Sequence, residues 1–152
     1  MKNDTFIVEA QMLIRKPAAI VFEAFIDPEI TRHFWFTKSS GRLATGSTVL
    51  WEWEMYQVSS SVTVNEIIPN KRIAISWGSP VTQVDFEFEA LSNDTTYVVI
   101  KNYGHAQTGD ALLRAVMDNT GGFTTVLDGM KAYLEHGIQL NLITDKFARK
   151  GQ

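Results

Sequence analysis

The sequence has no cysteine. That excludes a disulfide framework, a zinc-finger pattern and thiol catalysis together, and it fits a reducing compartment. It also lacks a basic cluster: 14 Lys and Arg stand against 17 Asp and Glu, scattered along the chain, for a net charge of -3. Without a basic footprint, nucleic acid is not an expected partner. No segment approaches the roughly 18 uninterrupted apolar residues of a membrane span. The opening MKNDTFIVEA runs into acidic and amide residues where a secretory signal would be apolar, so a cytoplasmic protein is expected.

Nucleotide and hydrolase motifs are missing as well. Ser39-Ser40-Gly41 and Gly121-Gly122 lack the glycine and lysine pattern that cradles phosphate, and they read as turns. No G-x-S-x-G elbow accompanies the serines. His33 and His136 lack the spacing of paired metal ligands on one helix, so no metal site is expected. With 152 residues there is room for one domain and not for separate cofactor and substrate domains, so no cofactor is expected. A domain of this size buries roughly 68–70% of the surface its unfolded chain exposes, enough to be stable without staples.

Periodicity supplies the architecture. Residues 6–15 form an extended run, and Pro17 then offers the fixed φ favoured at a first helical position. Ile20, Val21, Phe22, Ala24 and Phe25 follow at helical spacing, and Asp27-Pro28 reads as an N-cap and first residue of a second short helix. From Thr48 the period becomes two, most strictly in Val84-Asp85-Phe86-Glu87-Phe88-Glu89. Strands are expected over 47–54, 56–67, 72–77 and 95–103, with turns at Pro69-Asn70 and Asn93-Asp94, which makes an antiparallel meander. Helical spacing returns over 110–118. Past Gly121-Gly122 it continues through Phe123, Val126, Leu127, Met130, Tyr133 and Leu134, with Asn119 or Thr120 capping the second segment and Gly137 ending it. A helix over 122–136 would be about 22 Å long and would lie across several strands. The tail, 138–152, keeps Leu140, Leu142, Ile143 and Phe147, which would pack on the body or meet a partner.

With these elements in order, the sequence resembles the START-like (helix-grip) superfamily, in the branch of polyketide cyclases and the C-terminal domain of Hsp90 ATPase activators. The residues carrying the likeness are Pro17-Ala18-Ala19-Ile20-Val21-Phe22, Asp27-Pro28-Glu29-Ile30-Thr31, Phe34-Trp35-Phe36, Val64-Asn65-Glu66-Ile67, Pro69-Asn70-Lys71-Arg72-Ile73, Ser76-Trp77, and Gly122-Phe123 through Tyr133-Leu134. The resemblance implies an α+β domain over 1–152: a curved antiparallel sheet wrapped around a long C-terminal helix, two short helices after the first strand, and an apolar ligand held between sheet and helix. It leaves function open among binders, cyclases and Hsp90-type co-chaperones. The additional N-terminal domain of full-length Hsp90 activators is not in this sequence, so ATPase activation is not expected to carry over. Many relatives carry a His at the end of the last strand, where this chain has Asn102.

Trp35, Trp51, Trp53, Trp77, Phe86, Phe88, Phe123, Leu127 and Met130 are the candidate cavity-lining residues. Plain core packing by the same side chains is the alternative, since rings this large could fill the interior. Glu66 shares a face with Val62 and Val64, so an unbroken strand would turn its carboxylate inward as a general acid or base. A structural ion pair with Arg32, Arg42 or Arg72 is the favoured alternative. Asn102, Tyr103 and His105 are expected near the cavity mouth, where polar groups could orient a ligand or shuttle protons, with His105 favoured as a plain exposed loop residue. The reading ranked first is a binder of a small lipid-like or polyketide-like molecule, followed by a cyclase or aromatase acting in that cavity. A co-chaperone is ranked last, and homodimerisation through the tail or a sheet edge stays open with any of them.

Overall fold

The computed structural model describes residues 8–151. The opening segment and the start of the first expected strand, Phe6 and Ile7, lie outside the described residues. Strand β1 (Val8–Ile14) leads to helices α1 (Ala18–Ile26) and α2 (Pro28–Thr31), then to β2 (Lys38–Ser39) and β3 (Thr48–Trp53). Strands β4 (Val58–Ile68), β5 (Arg72–Trp77), β6 (Thr82–Ser92) and β7 (Thr95–Tyr103) complete one seven-stranded antiparallel sheet of order β1-β7-β6-β5-β4-β3-β2. Helix α3 (Gly109–His136) lies along its concave face, and a short α4 (Leu142–Lys146) follows.

Local chemistry explains the joints. Asp27 sits between α1 and α2, and its Oδ1 accepts from the Glu29 backbone N at 2.9 Å, while Pro28 opens α2 where no donor is needed. Pro17 is the N-cap of α1 rather than its first helical residue, because its ψ of 150° is still extended. Asn70 takes φ 62° in the β4–β5 turn, and Gly137 takes φ 66° as the left-handed cap of α3.

The expected break in the last helix does not occur. Gly121 and Gly122 are inside a single helix of 28 residues, about 42 Å long at 1.5 Å per residue. Two glycines lower the local helix propensity by about 1 kcal/mol each. Packing outweighs this, because Phe123, Val126, Leu127 and Met130 are all buried against the sheet. Fully burying one such side chain contributes about 1.5–3 kcal/mol. Asn119 and Thr120 are therefore interior helix residues, and Thr120 Oγ1 donates back to Val116 O at 2.6 Å instead of capping.

Polar contacts hold the C-terminal half of α3 to the end of β1. Lys131 Nζ donates to Leu13 O at 2.8 Å and to Glu135 Oε2 at 2.7 Å, and the Arg15 backbone N reaches the same Glu135 oxygen at 2.8 Å. Burial would raise the Glu135 pKa, but these hydrogen bonds and the Lys131 charge outweigh it and leave the carboxyl below its ordinary value. Among the described residues no helix is long and apolar enough to cross a membrane.

Candidate functional site

Helix α3 does not seal the concave face completely. Where its middle passes the ends of β3, β4 and β5, a cavity of about 510 Å³ opens between them. Its walls are Trp35, Trp53, Trp77 and Phe123, with Val58 at the mouth and Val126 behind. The rings brace one another: Trp35 meets Trp77 at 5.7 Å and Phe123 at 6.1 Å, and Trp77 lies 5.8 Å from Phe123. Such contacts hold aromatic walls in defined orientations. Gly122 faces this space, and a Cβ built there would meet nothing within 4 Å. The chain after α3 folds back to supply the remaining wall, Ile143 and Phe147, held by the Tyr56 hydroxyl donating to Thr144 O. A cavity of a few hundred Å³, walled by rings and with Tyr56, Ser59, Ser60, Asp118 and Asn119 as its polar members, has the dimensions of a small-molecule site.

The aromatic candidates divide by depth. Trp35, Trp53, Trp77 and Phe123 line the cavity. Trp51, Phe86, Phe88, Leu127 and Met130 are core instead, each at most 5% exposed. Trp51 stacks on Phe36 at 4.9 Å, while Phe86 and Phe88 pack against Phe25 of α1. A period of two tells which face a residue occupies and not how far along the strand the cavity lies, so Trp51 and Trp53 read alike in sequence.

Asn102 ends the inward face of β7 with no exposed surface. Its Nδ2 donates to Thr82 Oγ1 at 3.0 Å and to Gln83 O at 2.9 Å. Asn119 Nδ2 on α3 donates to Asn102 Oδ1 at 3.0 Å and lies 3.5 Å from His105 Nε2. His105 is buried, not the exposed loop residue expected, because Gly104 at φ 80° turns the chain inward after β7. Burial pushes its pKa below the ordinary imidazole value, and Nδ1 has no hydrogen-bond partner among the described residues. Unfolded His105 therefore takes up a proton before folded His105 does. Folding stability should fall as pH drops below about 6.5, the value for a free imidazole, until the folded ring itself protonates. Urea unfolding of the wild type and His105→Leu across that range checks this. The difference between their pH profiles isolates His105 from His33 and His136.

Glu66 and Tyr103 lie on the other face of the sheet. A bulge between Val64 and Glu66 shifts the β4–β5 register, so the inward carboxylate that unbroken alternation predicts does not form. Glu66 is exposed and paired with Arg72, whose Nη2 also donates to Asp85 Oδ2 at 2.9 Å. Tyr103 Oη donates to Asp85 at 3.2 Å. The hydrogen bond from Arg72 to Asp85, with both carboxylates' charges, raises the Arg72 pKa against the cost of burial. Of the four polar candidates, only Asn102 and His105 come together, through Asn119. Among the described residues no group of three or more His, Asp or Glu could hold a metal ion.

Sequence reasoning missed Asn119, Tyr56, Ser59, Ser60 and the tail residues Ile143 and Phe147. The helical spacing of 119, 122, 123 and 126 was the available signal for Asn119, since residues three and four apart share a face.

A family model described as activator of Hsp90 ATPase homolog 1-like protein matches residues 15–135. The crystal structure of protein SSP2350 from Staphylococcus saprophyticus is similar at 27% identity and TM-score 0.78, over 89% of this chain and 96% of that one. DynU16, a protein of the dynemicin biosynthetic locus, is similar at 18% identity and TM-score 0.78, over 90% of this chain and 49% of its own. The Aha1 dimer from Colwellia psychrerythraea is similar at 19% identity and TM-score 0.73, over 87% and 98% of the two chains. At under 25% identity, the last two show a shared fold. No curated protein matches the chain.

Proposed function

Because the chain belongs to the activator of Hsp90 ATPase homolog 1-like family, we propose that it binds a small, largely apolar molecule in the cavity between α3 and the ends of β3, β4 and β5. The observation that carries this reading is the cavity of about 510 Å³ walled by Trp35, Trp53, Trp77 and Phe123. Rings that could have filled the interior stand around a space instead.

The cyclase-type alternative asks for proton-shuttling groups converging on the cavity. Glu66 pairs with Arg72 and Tyr103 with Asp85 on the far face of the sheet, Asn102 spends both amide protons on β6, and His105 is not part of the lining, which leaves Asp118 as the carboxylate at the cavity among the described residues. Binding without chemistry accounts for the arrangement with fewer requirements.

The test is a thermal-shift screen against aromatic and fatty molecules with wild type and Gly122→Leu. A ligand at 100 times its Kd stabilises the folded state by about 2.7 kcal/mol. Gly122→Leu pushes a branched side chain into the cavity from a helix position with open space around it, so the shift should shrink while the unliganded protein stays at least as stable. Gly122→Ala should gain about 0.5–1 kcal/mol from helix propensity alone. An undiminished shift in Gly122→Leu would place the ligand elsewhere.

A further inference from the structure

Asparagine amides look alike from end to end, so their direction has to be fixed by partners whose role is not in doubt. Gln83 O is a backbone carbonyl and can only accept. The Asn102 group facing it at 2.9 Å is therefore the NH₂, and the Asn102 oxygen points to α3. An oxygen there demands a donor, which fixes the NH₂ of Asn119 inward. The second Asn119 proton faces His105 Nε2, consistent with a neutral ring that carries its proton on Nδ1. One Asn119 proton is thus bonded to Asn102, and the other is turned toward His105 at a long 3.5 Å. Its Oδ1 accepts no hydrogen bond among the described residues, and Asn119 lines the cavity.

We infer that Asn119 is a specificity residue that presents a fixed acceptor oxygen to the cavity and selects ligands bearing a hydroxyl or N–H donor over isosteres that cannot donate. This rests on the cavity being the ligand site. The sheet holds the orientation: reversing the Asn119 amide would set its oxygen against the Asn102 oxygen, which in turn cannot reverse without facing Gln83 O. A bound ether, ketone or carboxylate oxygen would meet another acceptor and be disfavoured. The network also ties α3 to β6 and β7, but that role does not require an acceptor left over at the cavity wall.

The test compares two probes of nearly equal shape, 4-phenylphenol and 4-fluorobiphenyl, of which only the first donates. Three of the four tryptophans line the cavity, so quenching of intrinsic emission reads the binding of either. The phenol should bind about tenfold more tightly, the ratio expected when one buried hydrogen bond is made or missed. In Asn119→Ala, confirmed folded by circular dichroism, the ratio should fall to near one, mainly through weaker phenol binding. Equal affinities in the wild type overturn the Asn119 assignment while leaving the cavity as the site, and this arm needs no variant. A preserved ratio in Asn119→Ala also overturns it and moves donor recognition to another acceptor of the lining, Asp118 first, then Ser59 or Ser60. If neither probe binds, the cavity reading and this inference fall together.

Discussion

Trp51→Ala should lower folding stability by about 3–5 kcal/mol, the range for removing a buried large aromatic side chain. Trp51 is 2% exposed and packed between Trp35 and Phe36, with ring centroids 4.9 Å from each. Truncation leaves a void in a dense ring cluster braced from several sides, which limits relaxation. Trp53→Ala, two residues along the same face but at the cavity, should cost closer to about 1 kcal/mol, near the centre of the range for single substitutions. Urea melts with an unchanged slope distinguish the two, since a shifted midpoint alone reports stability. Ligand binding should respond in the opposite order, with Trp53→Ala weakening it directly and Trp51→Ala only through the fold. Equal stability losses would mean that the division of the tryptophans into core and lining is wrong.

Asn102→Ala should cost about 3 kcal/mol, because the Thr82 hydroxyl, the Gln83 carbonyl and the Asn119 amide all lose a buried partner. The isosteric Asn102→Asp is the sharper probe. It sets a carboxylate oxygen against Gln83 O, and burial without a countercharge raises its pKa above the unfolded value of about 3.9. A raised pKa means that stability is present at low pH and lost as pH rises through the folded value. Asn102→Asp should therefore be far less stable than wild type at pH 7 and recover part of the deficit near pH 4. An Asp variant as stable as wild type at neutral pH would show that the network is not directional.

Much of the fold is legible because its signals are local. The alternation from Val84 to Glu89, the Asp27-Pro28 start and the Gly137 stop each act over one turn or one strand pair, and each appears where the sequence puts it. Gly121-Gly122 misled for the opposite reason. The pair weakens a helix locally, and only tertiary burial of Phe123 to Met130 restores it. Glu66 was misplaced by one bulge, which a strict period cannot register, and Tyr103 was grouped with Asn102 although alternation assigns them opposite faces. The site was harder still. Its lining draws on β3, β4, β5, α3 and the returning tail, whose proximity exists only in three dimensions. Helical spacing puts Asn119 on the face of Gly122, Phe123 and Val126, but which way its amide is forced to point is set only by Asn102 and Gln83 in the folded chain.

The sheet order has a consequence for the time course of folding. Among the described residues β1 pairs only with β7, Val8 opposite Asn102 and Ile14 opposite Thr96, so the first strand described meets its partner last. On a chain emerging from the ribosome, Val8, Ala10 and Ile14 would stay uncovered while every other strand was being made. Pairings across such sequence separations slow folding, because the loop between them must close before the contact gives anything back. The β3–β6 hairpins can form early and locally. Docking of β1 and α3 comes afterwards, so the cavity that α3 helps enclose is completed in the final steps of folding.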